Sequence, residues 1–297
     1  MRVLVTGATG LIGSALCAAL RARGDTAVPL RRGPRATDAP TWDPPAGHVD
    51  LAPAGDLDAV VHLAGATIGR RWTARYRQVL HASRVAATAQ LVATLATLPV
   101  PPATFIAASA SGVYGDRGDE LLTEHSALGS GFLATLGRDW EAAATPLAEV
   151  GTRLVWARFG VVMAPAGGML AQLRPLFRLG LGGRLGSGRQ YLAWVALDDA
   201  VAALLRLLDD SAMAGPFNVV APEAVTNAEF TRAYAAALRR PAPWAVPAWV
   251  LRLAMGEMAD ELLLGGQRVV PARLQEAGFA WRYPRLATAL AAAESST

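Results

Sequence analysis

The first 24 residues of this 297-residue chain constrain its fold most strongly. Residues 2–6 form a short apolar run that predicts a buried strand, and residues 12–23 carry an apolar stripe at helical spacing. Gly24 then ends the predicted helix. A second apolar strand, residues 26–30, follows directly, so the chain begins with a β-α-β unit. The turn between the first strand and the helix contains three glycines, Gly7, Gly10 and Gly13.

The spacing of these glycines suits one kind of ligand. In such a turn one glycine permits the tight bend, another lets backbone N–H groups approach a pyrophosphate, and a third lets helix and strand pack closely. The phosphates then lie at the helix N-terminus. The sequence therefore predicts a dinucleotide cofactor, the alternative being an ordinary glycine-rich turn. The predicted contact residues are Gly7, Thr9, Gly10, Leu11, Ile12 and Gly13.

The end of the second strand indicates which dinucleotide binds. An acidic residue there would accept a hydrogen bond from the ribose 2′-OH of NAD, but this chain has Arg31 and Arg32. A guanidinium can pair bidentately with a 2′-phosphate, which an acidic side chain would repel. We therefore expect NADP as the cofactor. The alternative is that both arginines are solvated at a strand end.

Strands and helices alternate through the first half of the chain. Residues 59–64, 104–108 and 152–158 are predicted strands, and residues 73–98 are a long predicted helical stretch. This alternation is typical of an α/β protein with a Rossmann-like, doubly wound parallel sheet and helices on both faces.

The character of the sequence changes in its second half, where residues 163–190 are glycine-rich and loop-like. We expect an NADP-binding Rossmann domain over residues 1–162, to which residues of about 192–222 return. A smaller C-terminal substrate or cap region is expected over residues 163–297. It includes a C-terminal helical segment, residues 245–297.

Two helix starts in the second half are predicted from local side chains. Asp198 or Asp199 is expected to cap a helix that continues to about Leu208. Thr226 and Glu229 have the spacing of a capping box. In both cases the capping side chain would satisfy amide groups within one helical turn.

Composition excludes several kinds of chemistry. All 28 basic residues are Arg, and a chain without Lys has no amine for a Schiff base, no P-loop lysine and no lysine general base. The arginines are dispersed, which disfavours nucleic acid as a partner. No apolar stretch reaches the roughly 18 residues that span a bilayer, and Cys17 is the only cysteine. We expect a cytoplasmic protein, monomeric or homodimeric, with a small-molecule substrate, no membrane partner and no bound metal.

Three later motifs resemble those of a known superfamily. They are Asp58-Ala-Val-Val-His-Leu-Ala-Gly65, Ser109-Ala-Ser-Gly-Val-Tyr-Gly115 and Arg158-Phe-Gly-Val-Val162. With the glycine loop they resemble the extended short-chain dehydrogenase/reductases, in the NAD-dependent epimerase/dehydratase group. Further motifs resemble its atypical subfamily, the epimerase family proteins, which carry a C-terminal segment of unknown function; among them are Asp139-Trp140-Glu141, Gly215-Pro-Phe-Asn218 and Val270-Pro271. The resemblance implies a Rossmann domain, a small C-terminal substrate domain, NADP, and cofactor contacts at Leu63, Ala64 and Gly65.

The resemblance fails at the residues that carry the chemistry of the family. Typical members use a Ser or Thr, a Tyr as general acid/base and a Lys. The matching positions here fall on Ala110, near Leu133 and near Gly137. Any acid or base must therefore come from elsewhere. Ser109 and Ser111, at the end of a predicted strand, are candidates to hydrogen-bond a substrate carbonyl, or else they only stabilise a tight turn.

One tyrosine and three arginines complete the main candidates. Tyr114 has a phenol that is a candidate proton donor, and in relatives the matching residue lines the substrate pocket. Arg84 is a candidate to bind the cofactor phosphates, and Arg158 and Arg189 are candidates to bind an anionic substrate. The alternative is that these arginines form salt bridges. Arg189 lies in a glycine-rich loop of the kind that forms lids over pockets.

Five further titratable residues have less specific surroundings. Glu141 follows a tryptophan on a predicted helix and is either a catalytic acid or a solvated carboxylate. His62 is either a satisfied side chain at a strand end near the cofactor or part of the catalytic apparatus. Asp116, Glu124 and His125 either border the pocket or belong to a surface loop.

Two functions of different classes follow. The first is an NADP-dependent oxidoreductase or epimerase-like enzyme that acts on an unidentified small hydroxy or keto compound without the usual Ser-Tyr-Lys relay. The second is a catalytically inert NADP-binding sensor or regulatory protein. The missing relay favours the second function, whereas the lid-like loop with Arg189 and the intact C-terminal segment favour the first.

Overall fold

The computed structural model describes residues 1–34 and 38–295. In its first half the strands and helices are β1 (Arg2–Thr6), α1 (Leu11–Ala22), β2 (Thr26–Pro29), β3 (Arg31–Arg32), β4 (Thr41–Asp43), β5 (His48–Asp50), β6 (Ala59–His62), α2 (Ala74–His81), α3 (Ala87–Ala96), β7 (Thr104–Ala110), β8 (Leu121–Leu122) and α4 (Phe132–Ala142). The later elements are β9 (Arg153–Phe159), β10 (Val161–Met163), α5 (Gly168–Arg178), β11 (Gly183–Leu185), β12 (Tyr191–Leu192), β13 (Trp194–Ala196), α6 (Leu197–Asp209), β14 (Gly215–Val219), β15 (Val225–Thr226), α7 (Asn227–Ala237), β16 (Trp244–Val246), α8 (Ala248–Met255), β17 (Arg268–Val269), α9 (Ala272–Glu276) and α10 (Leu286–Ser295). Shorter helical turns are the 3₁₀ segments Ala52–Ala54, Ser111–Tyr114 and Thr145–Val150 and the π-helical segments Ala82–Ala86 and Ala259–Leu264.

The largest sheet in the described part of the chain has six strands in the order β14-β9-β7-β6-β1-β2. Strand β1 pairs in parallel with β2 on one side and with β6 on the other, and β6 pairs in parallel with β7. The strand order therefore reverses at β1. This arrangement confirms the predicted α/β fold with a Rossmann-like, doubly wound sheet. In such sheets ligands bind beyond the carboxyl ends of the strands at the reversal, which here is the β1/β6 edge.

Both faces of this sheet are buried. Leu4, Val60 and Phe105 lie opposite one another in register and belong to the hydrophobic cluster that includes Leu91 and Leu95 of α3. Neighbouring strand residues alternate to the other face. Those residues, Val3, Val5, Val61 and Ile106, also have no exposed surface. Burial on both faces explains why the strands are continuous apolar runs, as is typical of parallel sheets covered by helices.

The chain forms two compact units, each built from several segments. The first unit contains Met1–Ser109, Leu136–Ala157 and Val201–Pro216, and the second contains Ala110–Thr135, Arg158–Ala200 and Phe217–Thr297. The core of the first unit is the cluster beneath α3. The second unit has one hydrophobic cluster around Trp194 and Tyr234 and another around Tyr114. The assignment of cofactor and substrate binding to separate domains stays a prediction.

Of the two helix starts predicted from local side chains, the structure confirms one and contradicts the other. Thr226 and Glu229 form the predicted capping box at the start of α7. The predicted cap at Asp198 or Asp199 is wrong, because α6 begins at Leu197. The Asp199 carboxylate instead accepts hydrogen bonds from the backbone amides of Arg282 (2.7 Å) and Tyr283 (2.9 Å), and its burial raises the pKa of the carboxyl group.

The helices found in the described residues include none with both the length and the apolar character that a membrane span requires. Helix α8 and the π-helical segment Ala259–Leu264 lie within residues 245–297, where the C-terminal helical segment was predicted. The final two residues of that segment lie outside the described residues.

A buried ion pair joins three helices of the second unit. Arg174 of α5 donates from Nε to both carboxylate oxygens of Glu294 in α10, at 2.8 and 3.0 Å. The hydroxyl of Tyr234 in α7 donates to the same carboxylate at 3.0 Å. The two charged side chains are only 11% and 7% exposed. Burial of a charge is tolerated here because the partner charge lies within hydrogen-bond distance.

Removal of one partner of this pair is expected to destabilise the protein strongly. Glu294→Leu leaves the Arg174 guanidinium buried without its counter-charge, which costs about 3–5 kcal/mol of the free energy of unfolding. The double variant Arg174→Leu/Glu294→Leu removes both charges and is expected to recover most of that loss. Urea unfolding followed by circular dichroism measures both values. A double variant no more stable than Glu294→Leu would contradict this account.

Candidate functional site

The glycine loop packs so closely that side chains are excluded at two positions. Gly7 has a φ of +64°, and a Cβ there would lie 3.0 Å from the amide nitrogen of Ala64 and from the carbonyl of Leu63. A Cβ on Gly13 would lie 2.2 Å from the carbonyl oxygen of Gly7. The loop after β1 is therefore pressed between the start of α1 and the exit of β6. These are the roles that the glycine pattern predicted for a tight turn and for close helix packing.

The N-terminus of α1 is open at this loop. Gly10 is the N-cap residue and supplies no side-chain cap, and the first turn carries no acidic residue. Thr9 and Gly10 are exposed, whereas Leu11 and Ile12 are partly exposed. The first amides of a helix have no partners within it and carry partial positive charge. The chain thus presents a place for an anion where the sequence predicted the pyrophosphate.

The exit of β6 is held by Thr6, a residue that the sequence motifs did not single out. The hydroxyl of Thr6 accepts hydrogen bonds from the backbone amides of Leu63 and Ala64, both at 3.0 Å. It also lies 2.8 Å from Nδ1 of His62. Because both lone pairs of the hydroxyl are already used, its proton is donated to Nδ1. His62 is therefore protonated on Nε2.

The hydrogen-bond chain continues from His62 into the helices. His62 Nε2 lies 2.9 Å from the hydroxyl of Thr88 in α3, and the indole N–H of Trp140 in α4 donates to the same hydroxyl at 3.0 Å. His62 has no exposed surface, and its burial lowers the pKa of the imidazole to about 4. The imidazole is thus neutral near pH 7. This placement agrees with the interpretation of His62 as a satisfied side chain near the predicted cofactor loop.

Arg84 reaches the same edge from the π-helical turn between α2 and α3. A Cβ on Gly65 would lie 3.3 Å from the guanidinium carbon of Arg84, and that carbon lies 5.1 Å from the centre of a Trp140 ring. Burial lowers the pKa of the Arg84 guanidinium, and its Nη1 is buried without a hydrogen-bond partner among the described residues. In the same turn the Ser83 hydroxyl accepts a hydrogen bond from the Ala66 amide at 3.1 Å.

Arg31 and Arg32 form the short strand β3, which begins one residue after the end of β2. Their backbones pair with Thr41 and Trp42 of β4, which fixes the position of the strand. Both residues are exposed. Their position at the carboxyl end of β2 is the one that the sequence predicted for recognition of the cofactor ribose.

Ser109 lies at the carboxyl end of β7 and is engaged by a carboxylate. Its hydroxyl donates to Oε1 of Glu141 at 2.6 Å, and both residues are buried. The indole N–H of Trp156 donates to the backbone carbonyl of Glu141 at 3.1 Å. The alternative of a solvated carboxylate at Glu141 is therefore wrong. Long-range pairing brings Ser109 and Glu141 together, and no motif in the sequence links them.

Tyr114 lies in the second unit and has no exposed surface. Its hydroxyl donates to Oδ1 of Asn218 at 2.8 Å and accepts from the Arg158 guanidinium at 2.9 Å. Burial raises the pKa of the phenol. Glu124 is also buried, and its carboxylate accepts a hydrogen bond from the backbone amide of Asn218 at 2.9 Å. These contacts favour a structural function for Tyr114 and Arg158, and a surface-loop placement is wrong for Glu124.

The other candidates of the second unit lie in different surroundings. Ser111 is buried in the 3₁₀ turn Ser111–Tyr114, whereas Arg189 is exposed and donates its backbone amide to the Ser187 hydroxyl at 3.2 Å. Asp116 and His125 are exposed. Among residues 1–34 and 38–295 no group of three His, Cys, Asp or Glu side chains has a geometry that could hold a metal ion.

Two family models match the chain. The model described as the NAD dependent epimerase/dehydratase family matches residues 3–220. The model described as a domain of unknown function, DUF1731, matches residues 246–293.

Similar proteins cover nearly the whole chain. Epimerase family protein Mb2239 of Mycobacterium bovis is 47% identical over 290 residues, which is 97% of this chain and 96% of that protein. Epimerase family protein SDR39U1 of Bos taurus is 39% identical over 297 residues, with 98% of each chain covered. The crystal structure of human SDR39U1 (isoform 2) with NADPH superposes with a TM-score of 0.90 at 34% identity, covering 100% of both chains.

The buried imidazole of His62 predicts a pH-dependent stability. Its pKa is lowered to about 4 in the folded protein from an ordinary value of 6.5, so the unfolded chain binds an extra proton between these two pH values. The free energy of unfolding therefore falls as the pH drops from about 6.5 to about 4. The loss from this group is about 3 kcal/mol, at 1.36 kcal/mol per pH unit. Urea unfolding at intervals across that range measures it.

Two variants isolate the contribution of His62. His62→Gln keeps a side chain that can hydrogen-bond but does not titrate, so its loss of stability with acid should be about 3 kcal/mol smaller than that of the wild type. His125→Gln removes an exposed imidazole and is expected to keep the wild-type pH profile. Equal slopes for wild type and His62→Gln would contradict the prediction.

Proposed function

The chain belongs to the NAD-dependent epimerase/dehydratase family, as its motifs predicted, and we propose that it is an NADP(H)-dependent oxidoreductase or epimerase-like enzyme. Its substrate is a small hydroxy or keto compound. The proposal rests on the carboxyl ends of β1 and β6 in the first unit, which we call the cofactor edge. There the glycines let α1 start close against the loop after β1, and Nη1 of Arg84 is buried without a partner among the described residues.

The residues of this edge fit a dinucleotide. The open N-terminus of α1 supplies amides for the diphosphate, and Gly7 and Gly13 let the start of the helix lie close against the loop after β1. Arg84 supplies a positive charge beside Gly65, in a setting with little solvent where an anion is held strongly. The Thr6 hydroxyl fixes the Leu63 and Ala64 amides next to the loop.

The proposed choice of NADP over NAD rests on Arg31 and Arg32. Both are exposed at the end of β2, where a guanidinium is suited to a 2′-phosphate. The human relative solved with NADPH supports the same cofactor. That relative is 34% identical to this chain over its full length.

When bound, the nicotinamide supplies hydride transfer, and the chain has to orient the substrate and move a proton. Ser109 is the candidate that the contacts favour for this proton. Its hydroxyl donates to Glu141 at 2.6 Å, so its free lone pair suits a substrate hydroxyl as donor. In oxidation, a proton leaving the substrate hydroxyl would pass to Ser109 as the serine proton passes to the Glu141 carboxylate. In reduction of a carbonyl by NADPH the same protons would move in reverse, from a Glu141 carboxyl group through Ser109 to the substrate oxygen. Tyr114 is less suited, because its hydroxyl already donates and accepts.

A second candidate function is an inert NADP(H)-binding sensor. The burial of Tyr114 and the absence of the Tyr and Lys from α4 favour it. Such a protein would keep the cofactor edge intact and show no turnover. Measured turnover separates the two candidates.

Loss of both arginines after β2 is expected to weaken NADPH binding selectively. Arg31→Ala/Arg32→Ala removes charge-assisted hydrogen bonds to the 2′-phosphate, which predicts roughly 10- to 100-fold weaker NADPH and nearly unchanged NADH. Titration of cofactor fluorescence measures both dissociation constants. Unchanged NADPH affinity would overturn the assignment of these arginines.

Two further variants serve as matched comparisons in that titration. Arg84→Met is expected to weaken the binding of NADPH and of NADH by similar factors. The Arg84 side chain lies beside Gly65, where it would contact the part of the molecule that both cofactors share. Arg239→Ala/Arg240→Ala removes another consecutive exposed pair and should leave both affinities unchanged. A selective loss of NADPH affinity in the last variant would show a nonspecific charge effect.

NADPH oxidation with a library of aldehydes and ketones tests catalysis itself. Wild-type protein is expected to turn over at least one member, and Ser109→Ala to lower kcat/KM roughly 100-fold or more, with NADPH affinity unchanged. Tyr114→Phe removes a buried hydroxyl while keeping the ring, so it should lower stability and leave the rate within about threefold. Tight NADPH binding without any turnover would favour the sensor, and a fully active Ser109→Ala would reject the proposed proton route.

A further inference from the structure

Helix α4 receives its N-terminal cap from a residue far away in the sequence. The Glu261 carboxylate accepts hydrogen bonds from the amides of Phe132 at 2.7 Å and Leu133 at 2.8 Å, one to each oxygen. The preceding residue, Gly131, has a φ of +99°, and a Cβ there would lie 2.9 Å from Oε1 of Glu261. A glycine is therefore needed both for the backbone conformation and for access of the carboxylate.

This cap is a charged one in a favourable position. The amides at a helix start have no partners within the helix, and a negative charge there interacts with the helix dipole. Gly131 itself has no side chain that could act as a cap, and α4 has no acidic residue in its first turn. Glu261 therefore supplies what the sequence around residue 132 lacks.

The segment that carries Glu261 contacts the same region at further points. Asp116 accepts a hydrogen bond from the Gly266 amide at 3.3 Å. Strand β17 pairs in parallel with β8, and the Val270 amide donates to the Leu122 carbonyl at 2.9 Å. The carbonyl of Val270 accepts from the side-chain amide of Asn218 at 3.0 Å, which is the partner of the Tyr114 hydroxyl.

The start of α4 is packed against the turn Ser111–Tyr114. A Cβ on Gly112 would lie 3.4 Å from the Leu133 Cβ. Nearby, a Cβ on Gly129 would lie 2.0 Å from the Tyr114 carbonyl oxygen, and the Gly129 amide donates to the Val113 carbonyl at 3.0 Å. A shift of the helix start would therefore move the turn that follows β7.

We propose that Glu261 is a positioning residue, through which the C-terminal segment fixes the start of α4 against the turn Ser111–Tyr114. This gives a function to a segment matched by a domain of unknown function. Leu133 lies near the position where relatives with the usual relay carry their tyrosine. The C-terminal segment thus stabilises the region of the missing relay from outside it. The expected effect of Glu261 on turnover rests on the proposed function, whereas its expected effect on backbone dynamics does not.

Residue-resolved hydrogen exchange by NMR on the full chain tests the proposal. Glu261→Gln keeps the size of the side chain and leaves one acceptor for two amides, so exchange at Phe132 and Leu133 is expected to accelerate roughly tenfold. Exchange at Gly115 and Gly129, whose amides bond within the packed turn, should accelerate roughly threefold or more. Glu261→Asp keeps the charge on a shorter stem and should restore part of the protection.

Glu276→Gln is the matched control, because it makes the same change at an exposed glutamate of the same segment. It should leave all four amides unchanged. Acceleration limited to Phe132 and Leu133 in Glu261→Gln would mean a local cap and would overturn positioning. Equal acceleration in Glu276→Gln, or none in Glu261→Gln, would also overturn it.

The turnover measurement adds a functional readout. With a substrate from the carbonyl library, Glu261→Gln is expected to lower kcat/KM roughly tenfold while the NADPH dissociation constant is unchanged. Unchanged kcat/KM would reject a contribution of Glu261 to the reaction. If the wild type shows no turnover, the proposed enzymatic function fails, and the exchange data alone then decide the positioning proposal.

Discussion

The approach of helix α1 to the end of β1 is the constraint on which the cofactor edge depends. A methyl group on Gly13 would lie 2.2 Å from the Gly7 carbonyl oxygen, so any other residue would force the helix away from the loop. Because β1 lies between β2 and β6, where the strand order reverses, the helix N-terminus faces the edge at which such sheets bind ligands. Close backbone packing thus decides where the positive end of the helix lies.

Hydrogen bonding at this edge separates the side chains that support the fold from the one that suits a ligand. Thr6, His62, Thr88 and Trp140 satisfy one another in a buried chain, as buried polar groups normally do. Arg84 differs, because Nη1 of its guanidinium is buried and unpartnered among the described residues. Leaving a buried polar nitrogen without a hydrogen-bond partner is costly, and an anion beside Gly65 would remove that cost. The contrast explains why Arg84 suits a ligand and His62 suits the scaffold.

Local spacing predicted much of this fold, and long-range pairing limited the rest. The glycine loop and the capping box of α7 depend on residues within one or two turns of each other, and the parallel sheet was predicted from short apolar runs that alternate with helices, so these patterns are visible in the sequence. The Thr6–His62 and Glu261–Phe132 hydrogen bonds join residues 56 and 129 positions apart. Asp199 was misassigned for the same reason, since amides 83 and 84 positions away compete for its carboxylate. The hydrogen bonds of the buried Tyr114 hydroxyl likewise come from Asn218 and Arg158, which lie 104 and 44 positions away.

The absence of lysine has its clearest structural meaning at helix α4. The position that matches the relay lysine falls near Gly137, which has no side chain. The helix instead has an apolar Leu133 near the tyrosine position, and its start is held by Glu261. Its last turn carries Glu141, whose carboxylate lies 2.6 Å from the Ser109 hydroxyl. Under the proposed function this carboxylate is the proton acceptor, and it lies one turn beyond the position that matches the relay lysine.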